Sequence, residues 1–527
     1  MRWPLDARRE PTYFCSQGTF VPVAASGPRA AGVSFPARDP MTQPFPTATP
    51  DRDDRAVPRV VVVGAGFAGL NVVKRLRRAP VEVLLVDQHN FHTFQPLLYQ
   101  VATAQLEPGE VAHQARAVLR RQKNATFRQG TVAGVDWDAR ELHLAGGDVV
   151  PFDQLVLAPG AIYADFGVPG VRDHAFFLKS LSEAVNLRSH VLRRFEEAAA
   201  DPSAVDRGVL DFVIVGAGPT GVEMAGALSE LIYRVLPKDY PELDVSRARI
   251  VLLEMTDAVL PPFSAGSQRH ARRTLERRGV EVRLGTAVRE VTGDGAELDD
   301  GTFLPTRTLV WAAGVEAHPL ARALNVETGK GGRIVVEEDL SLPGKPFAWA
   351  AGDVAASRDE QGGLHPQLAP VAIQHGQRVA ANLRARLEGQ ATKPFRYLDK
   401  GTMAIIGRNA GVAEVSKRFG GMTFRGFLGW LAWLFLHLIY LPGHRNRLGA
   451  FVTWAYEYLS FDRHARLIAE MAPTPAEITG RTGAIVDAGV PARIVDRTIQ
   501  RARTGDGEDQ RPPAEPDHVA ARPDEDG

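Results

Sequence analysis

Cysteine is nearly absent: Cys15 stands alone in 527 residues. A single thiol excludes a disulfide scaffold, a Cys-ligated zinc or iron–sulfur centre, and a CxxC redox pair. Neither sign of charge dominates, with 62 Lys+Arg against 62 Asp+Glu, so no global field draws nucleic acid. No apolar run reaches the roughly 20 residues that cross a bilayer as a helix. No Ser-His-Asp pattern stands out. His89 and His92 lack a carboxylate cluster, so solvated or hydrogen-bonded imidazoles are the simpler reading and no metal is assigned. What remains is ordinary globular material, 44% apolar and 24% charged, enough for about three domains. Any redox chemistry here must be carried by a bound cofactor.

Residues 1–57 are Pro-rich (Pro28, Pro36, Pro40, Pro44, Pro46, Pro50) and read as a disordered leader. A targeting peptide or a true start at Met41 are the alternatives. Patterned sequence begins at 59–63, a valine run, followed by Gly64-Ala65-Gly66-Phe67-Ala68-Gly69 and a predicted helix over 70–78. A second apolar run, 81–86, ends at Asp87. The same opening recurs at 212–215, with Gly216-Ala217-Gly218-Pro219-Thr220-Gly221, a helix through Leu231, and a strand ending at Glu254. A lone GxGxxG is weak evidence, but each loop here follows a strand, opens a helix and is answered by an acidic residue. Asp87 follows Gly64 by 23 positions; Glu254 follows Gly216 by 38, because 233–247 reads as an inserted loop. Glycines let the backbone approach a pyrophosphate, the helix N-terminus supplies amide donors, and the acid can accept from a ribose. The alternative is one real site and a decayed copy. Two intact nests point to two different dinucleotides and electron transfer between them. A carboxylate at Glu254, with no Arg in Met255-Thr256-Asp257, favours NADH over NADPH.

The order GAGFAGL, Asp87, FHTFQPLLYQVA, APG, GAGPTGVEMAG, WAAGV, AGD, APVAIQHG resembles the type II NADH dehydrogenases, single-subunit FAD-containing NADH:quinone oxidoreductases, from about Arg59 to Ile468. The resemblance implies an α/β fold of two Rossmann-like doubly wound dinucleotide-binding domains plus a C-terminal membrane-associating helical region. The FAD domain is discontinuous (58–180 and 331–400), with the NADH domain (181–330) inserted. A membrane-association and dimer region covers 401–475, and a largely disordered tail 476–527. For FAD it implies Gly64, Gly66, Phe67, Ala68 and Gly69 at the pyrophosphate and Asp87 at the ribose. Gln95 and Leu97 would lie along the flavin, Val132 at the adenine, Ala158 and Gly160 nearby, and Gly352 and Asp353 at the ribityl chain. For NADH it implies Gly216, Gly218, Gly221, Glu223, Glu254, Ala313 and Gly314.

The reaction implied is hydride transfer from NADH to flavin N5, then two electrons and two protons to a membrane quinone, ubiquinone or menaquinone. Three residues are candidates for the quinone half. Glu223 matches a proposed relay between the nicotinamide, flavin and quinone sites, the alternative being a carboxylate held at a helix N-terminus. Gln374 matches a quinone-headgroup carboxamide, although Pro370 replaces the family's first Gln. Lys400 matches a lysine near the flavin ring, or is a solvated loop lysine.

The chain's most apolar stretch, 427–441, places Trp430, Trp433, Leu434, His437, Leu438 and Leu441 at helical spacing, and Phe451, Trp454 and Tyr458 follow. Lys417, Arg418, Arg425, Arg445 and Arg447 flank it. That pattern fits helices lying in an anionic bilayer surface on the cytoplasmic face, where NADH is found. A core helix or a homodimer interface is the alternative. Two rival functions stay open: a soluble FAD-dependent NADH reductase of a small electron carrier or oxygen, and a non-catalytic FAD/NADH-binding sensor.

Overall fold

The valine run Arg59–Val63 forms a strand buried along its whole length, as β-branched residues on both faces suit the middle of a parallel sheet. The computed structural model describes residues 57–469, all within one unit, Pro50–Gly527. The leader, Cys15, Met41 and the tail from 476 lie outside the described residues. Arg59–Val63 pairs in parallel with Glu82–Asp87 on one side and Gln154–Leu157 on the other. Ala125–Gln129 and Lys345–Ala350 extend the sheet in parallel, and Ser341–Leu342 closes one edge antiparallel. This order puts a topological switch point at the end of the valine strand, where a ligand crevice opens. Lys345–Ala350 lies beside Gln154–Leu157 although the second domain separates them in sequence, so the first domain is discontinuous.

The second domain repeats the plan. Val280–Leu284, Arg249–Glu254, Asp211–Val215 and Thr308–Trp311 form a parallel sheet in that order. Each domain also carries a three-stranded antiparallel sheet, Val132–Asp136 with Glu141–Leu144 and Val149–Pro151, and Val288–Thr292 with Gly295–Leu298 and Phe303–Pro305. The helix Leu181–Ala200 starts at a Ser180/Glu183 capping box and buries Leu187, Val191 and Phe195 in the same core as Phe212 and Ile214. The segment after Glu230 is a π turn, Leu231–Val235, followed by 3-10 turns Leu236–Lys238 and Val245–Arg247.

The C-terminal region is an antiparallel sheet, Gly401–Gly407, Ala410–Val415 and Thr423–Gly426, leading into helices Phe427–Tyr440 and His444–Ser460. Here the structure corrects the sequence reading. The Trp430, Trp433, Leu434, His437 and Leu441 stripe, expected to rest in a bilayer surface, turns inward, with Trp433 at 0% exposure. The outward face is Phe427, Leu428, Leu431, Phe435 (65% exposed) and Ile439, joined by Leu448, Phe451 and Leu459 from the next helix. A helix apolar around its whole circumference carries no periodicity to say which side is covered. The indole N–H decides it, since a buried tryptophan seeks an acceptor. No helix among the described residues is long and apolar enough to cross a membrane.

Candidate active site

The two glycine loops are built alike where the third glycine meets the first. A Cβ on Gly69 would stand 1.9 Å from the Gly64 carbonyl oxygen, and one on Gly221 1.8 Å from that of Gly216. Only glycine lets the helix pack this tightly on the strand end. Gly64 and Gly216 themselves have φ of +102° and +97°, which L residues rarely adopt. The middle glycines differ in kind: nothing lies within 4 Å of a Cβ on Gly66 or Gly218. Both face open space at a helix N-terminus, where amide donors converge. Each loop is clamped by its acid. Asp87 accepts from the Ala65 and His89 amides at 2.6 and 2.7 Å. Glu254 accepts from the Ala217 amide at 2.7 Å and from the Thr256 amide at 3.0 Å. Glu254 Oε1 also accepts from the Thr256 hydroxyl at 2.9 Å, so Oε2 is the Glu254 oxygen that keeps a lone pair for a ribose hydroxyl, whereas both oxygens of Asp87 keep one.

A cavity of about 320 Å³ opens at the first loop, lined by Gly64, Gly66, Phe67, Ala68, Asp87, Gln95, Val132, Ala158, Gly160, Gly352 and Asp353. The open cradle before Gly66, together with Asp87 and the second turn at Gly352, fits FAD. Gly69 sits behind the loop, and the Leu97 side chain is fully buried in the core rather than at the cavity wall. At the second loop Gly216 packs against Ala313, whose Cα lies 2.7 Å from a Cβ there, and a Cβ on Gly314 would meet the Phe166 ring at 2.6 Å.

Buried imidazoles fix these loops. His92 Nδ1 donates to the Ala65 carbonyl at 2.8 Å; burial drives its pKa down to about 4, only partly offset by that bond. His375 Nδ1 accepts from the Gly352 amide at 3.0 Å, so its Nε2 carries the proton and donates to Ser357 Oγ at 2.9 Å. Burial pushes His375 down to about 3, so it holds the Gly352 turn as a neutral ring. Among the described residues no group of three or more His, Cys, Asp or Glu could hold a metal.

Glu223 lies under this arrangement, buried in the helix Pro219–Glu230. Its Oε1 accepts from the Trp433 indole at 3.1 Å and the Ile405 amide at 3.3 Å, which leaves Oε2 for a proton. Burial raises its pKa to about 8, against the lowering by those two bonds. Glu223 lines a second, larger cavity of about 1000 Å³, shared with Tyr99, Gln100, Glu230, Trp454, Glu457 and Arg463. Trp454 donates to Gln100, and Gln100 to Tyr99, both at 2.8 Å. Burial also raises Glu457 to about 8, and its Oε1 has no hydrogen-bond partner among the described residues.

The other two quinone-half candidates are placed differently. Gln374 spends its carboxamide on one backbone: Nε2 donates to the Leu398 carbonyl at 3.0 Å and Oε1 accepts the Leu398 amide at 2.9 Å. Gln374→Ala leaves both groups without partners, so it is expected to cost about 1–3 kcal/mol, read as a lower thermal midpoint with quinone KM unchanged. A raised quinone KM at unaltered stability would put the carboxamide at the headgroup instead. Lys400 is exposed, just ahead of the Gly401–Gly407 strand. A cation that sequence reasoning missed does line the first cavity: Lys179, 3.5 Å from Asp353. Its one sequence signal is its place just ahead of the Ser180 capping box. His318, also in that wall and driven down to about 4 by burial, was missed too.

Two dinucleotide nests in one chain, one opening on a cavity that fits a flavin nucleotide, define a flavin- and nicotinamide-dependent oxidoreductase. The family model for pyridine nucleotide-disulphide oxidoreductases matches residues 58–376. Over 444 residues the chain is 39% identical to the type II NADH:quinone oxidoreductase Ndh of Mycobacterium tuberculosis, covering 80% of this chain and 91% of that one. It is 33% identical over 372 residues to the type II NADH:quinone oxidoreductase of Staphylococcus aureus, covering 68% and 89%. Among solved structures, NDH2 from Plasmodium falciparum in complex with NADH shares the fold, with a TM-score of 0.71 at 17% identity, over 78% of this chain and 100% of that one. The chain belongs to the type II NADH:quinone oxidoreductases, with FAD as cofactor, NADH as reductant and quinone as electron acceptor.

Proposed function

We propose that residues 58–180 and 331–400 hold FAD, that 181–330 hold NADH, and that a buried carboxyl serves the quinone half of the reaction. The observation that carries this is Glu223: a carboxyl kept neutral by burial, bonded to a C-terminal tryptophan and sited on the helix that opens at the second glycine loop. Bound FAD supplies the redox chemistry, accepting a hydride and giving up two electrons. The chain's residues position and protonate. Gly64, Gly66 and Gly69 with Asp87 orient the FAD, while Gly216, Gly218 and Gly221 with Glu254 orient NADH. Lys179, 3.5 Å from Asp353, would place an ammonium donor beside bound FAD, its charge largely matched by that carboxylate. Glu223 holds a proton at Oε2 for the quinone, and the cavity it shares with Glu230, Glu457 and Arg463 supports its reprotonation.

A membrane quinone requires contact with lipid, and the outward face of Phe427–Tyr440 and His444–Ser460 is too apolar to be left to water. The protein thus rests on the bilayer without crossing it, on the cytoplasmic face, with basic residues over anionic headgroups; pairing of two copies through this region is compatible. Anaerobic mixing of the FAD-loaded chain with NADH should bleach the flavin absorbance, and a short-chain quinone should restore it. Bleaching without recovery by quinone would favour a reductase of another acceptor. No bleaching would leave a sensor.

A further inference from the structure

The helix Ala265–Arg277 carries Arg269, Arg273 and Arg277 at successive four-residue steps, three guanidinia on one exposed face. Like charges at this spacing repel. Among the described residues neither Arg269 nor Arg273 has an ion-pair partner, and the carboxylate on this surface, Glu276, is held by Arg272 at 2.8 Å. A fourth guanidinium arrives from a distant part of the chain. Arg425 donates from Nε to Ser267 Oγ at 3.3 Å and lies across Gly266, where a Cβ would meet Nη2 at 2.5 Å. Arg269, Arg273, Arg277 and Arg425, with His270 and the Arg272-bound Glu276, wall a hollow of about 790 Å³, and His270 Nε2 is buried with no hydrogen-bond partner among the described residues.

The hollow is fixed beside the outward apolar face. Arg425 precedes Phe427 and Leu428, both exposed, by only Gly426. The start of the arginine helix is tied to the same C-terminal sheet, since Ser264 donates from its amide to Glu414 at 3.1 Å and from its hydroxyl at 2.5 Å. We propose that this hollow binds the phosphate headgroup of an anionic phospholipid, seated while Phe427, Leu428 and Leu431 rest among the acyl chains of the same leaflet. Planar guanidinia pair with phosphate oxygens two at a time, and a lipid is chosen over a free phosphate because acyl chains would cover the neighbouring apolar residues. The inference rests on the bilayer contact proposed above and extends it: the NADH domain, as well as the C-terminal helices, grips the surface.

Flotation of the FAD-loaded full chain with vesicles tests it. Wild type is expected to bind phosphatidylcholine–phosphatidylglycerol vesicles at least about tenfold more tightly than phosphatidylcholine alone. R269E/R273E should bind both alike, at the neutral-vesicle level, while keeping its flavin and its turnover with a water-soluble quinone. The charge-matched R289E/R307E should keep the preference. A preference surviving in the first variant, or lost equally in the second, overturns the proposal. Inorganic phosphate at chloride-matched ionic strength should displace nothing; if it releases the wild type, the hollow takes free phosphate. Wild type that floats with neither vesicle would instead sink the bilayer contact itself.

Discussion

Gly66→Val should give a folded but colourless protein, and Gly218→Val a yellow one that NADH cannot bleach. Both glycines have ordinary extended backbones, φ −75° and −67°, and open space where a side chain would go. The fold therefore has no quarrel with valine at either place. The ligand does, because the side chain would fill the approach of a pyrophosphate to the helix N-terminus. Far-ultraviolet circular dichroism should match wild type in both variants. Flavin absorbance after exposure to excess FAD should be lost only in the first. In the second, dithionite should still reduce the flavin while the NADH-driven rate falls by about a thousandfold or more, as expected when the reacting groups are no longer held together. Exchanged phenotypes, with flavin lost from the Gly218 variant, would reverse the assignment of the two nests. The contrast with Gly69 and Gly221 sharpens the test, since alanine there collides with backbone at under 2 Å and should damage folding itself.

Glu223→Gln is expected to leave bleaching by NADH nearly intact and to slow reoxidation by quinone about a hundredfold at pH 7, the usual scale for losing a positioned acid. The carboxamide keeps an Oε1 acceptor for the Trp433 indole and the Ile405 amide, so the structure has no reason to change. The pH profile carries the sign. With its pKa raised to about 8, Glu223 is neutral and can give a proton below that value; as pH rises through 8 it ionises and the wild-type reoxidation rate should fall. The Gln variant, having nothing to titrate there, should lose that limb. Stopped-flow measurement of flavin recovery between pH 6 and 9.5 separates the outcomes. An unaltered rate and an unaltered profile would reduce Glu223 to a partner for Trp433.

Both nests were legible in the sequence because every element of each is local: strand, turn and helix are contiguous, and the acid closes the next strand. The return of the chain to the first sheet was legible through the run that ends at Gly352-Asp353. What could not be read are partnerships across long separations. Gln374 looks like a free carboxamide until Leu398 takes both its ends. Glu223 and Trp433 stand 210 positions apart, and nothing in either segment names the other. The Phe427–Tyr440 helix was evident as an apolar helix, but with apolar residues on every side its inward face depended on where an acceptor for one indole lay buried. The arginines of Ala265–Arg277 drew no reading from the sequence, because Arg425 joins them only in three dimensions.

The strand Lys345–Ala350 imposes an order on biosynthesis. Gln154–Leu157 emerges from the ribosome nearly two hundred residues before its neighbour, so its backbone edge must wait open while everything between is made. The second domain, contiguous in the chain, has all four of its parallel strands in hand first. The first domain, though begun earlier, closes second, and its Gly352 turn is in place only once that late strand has arrived.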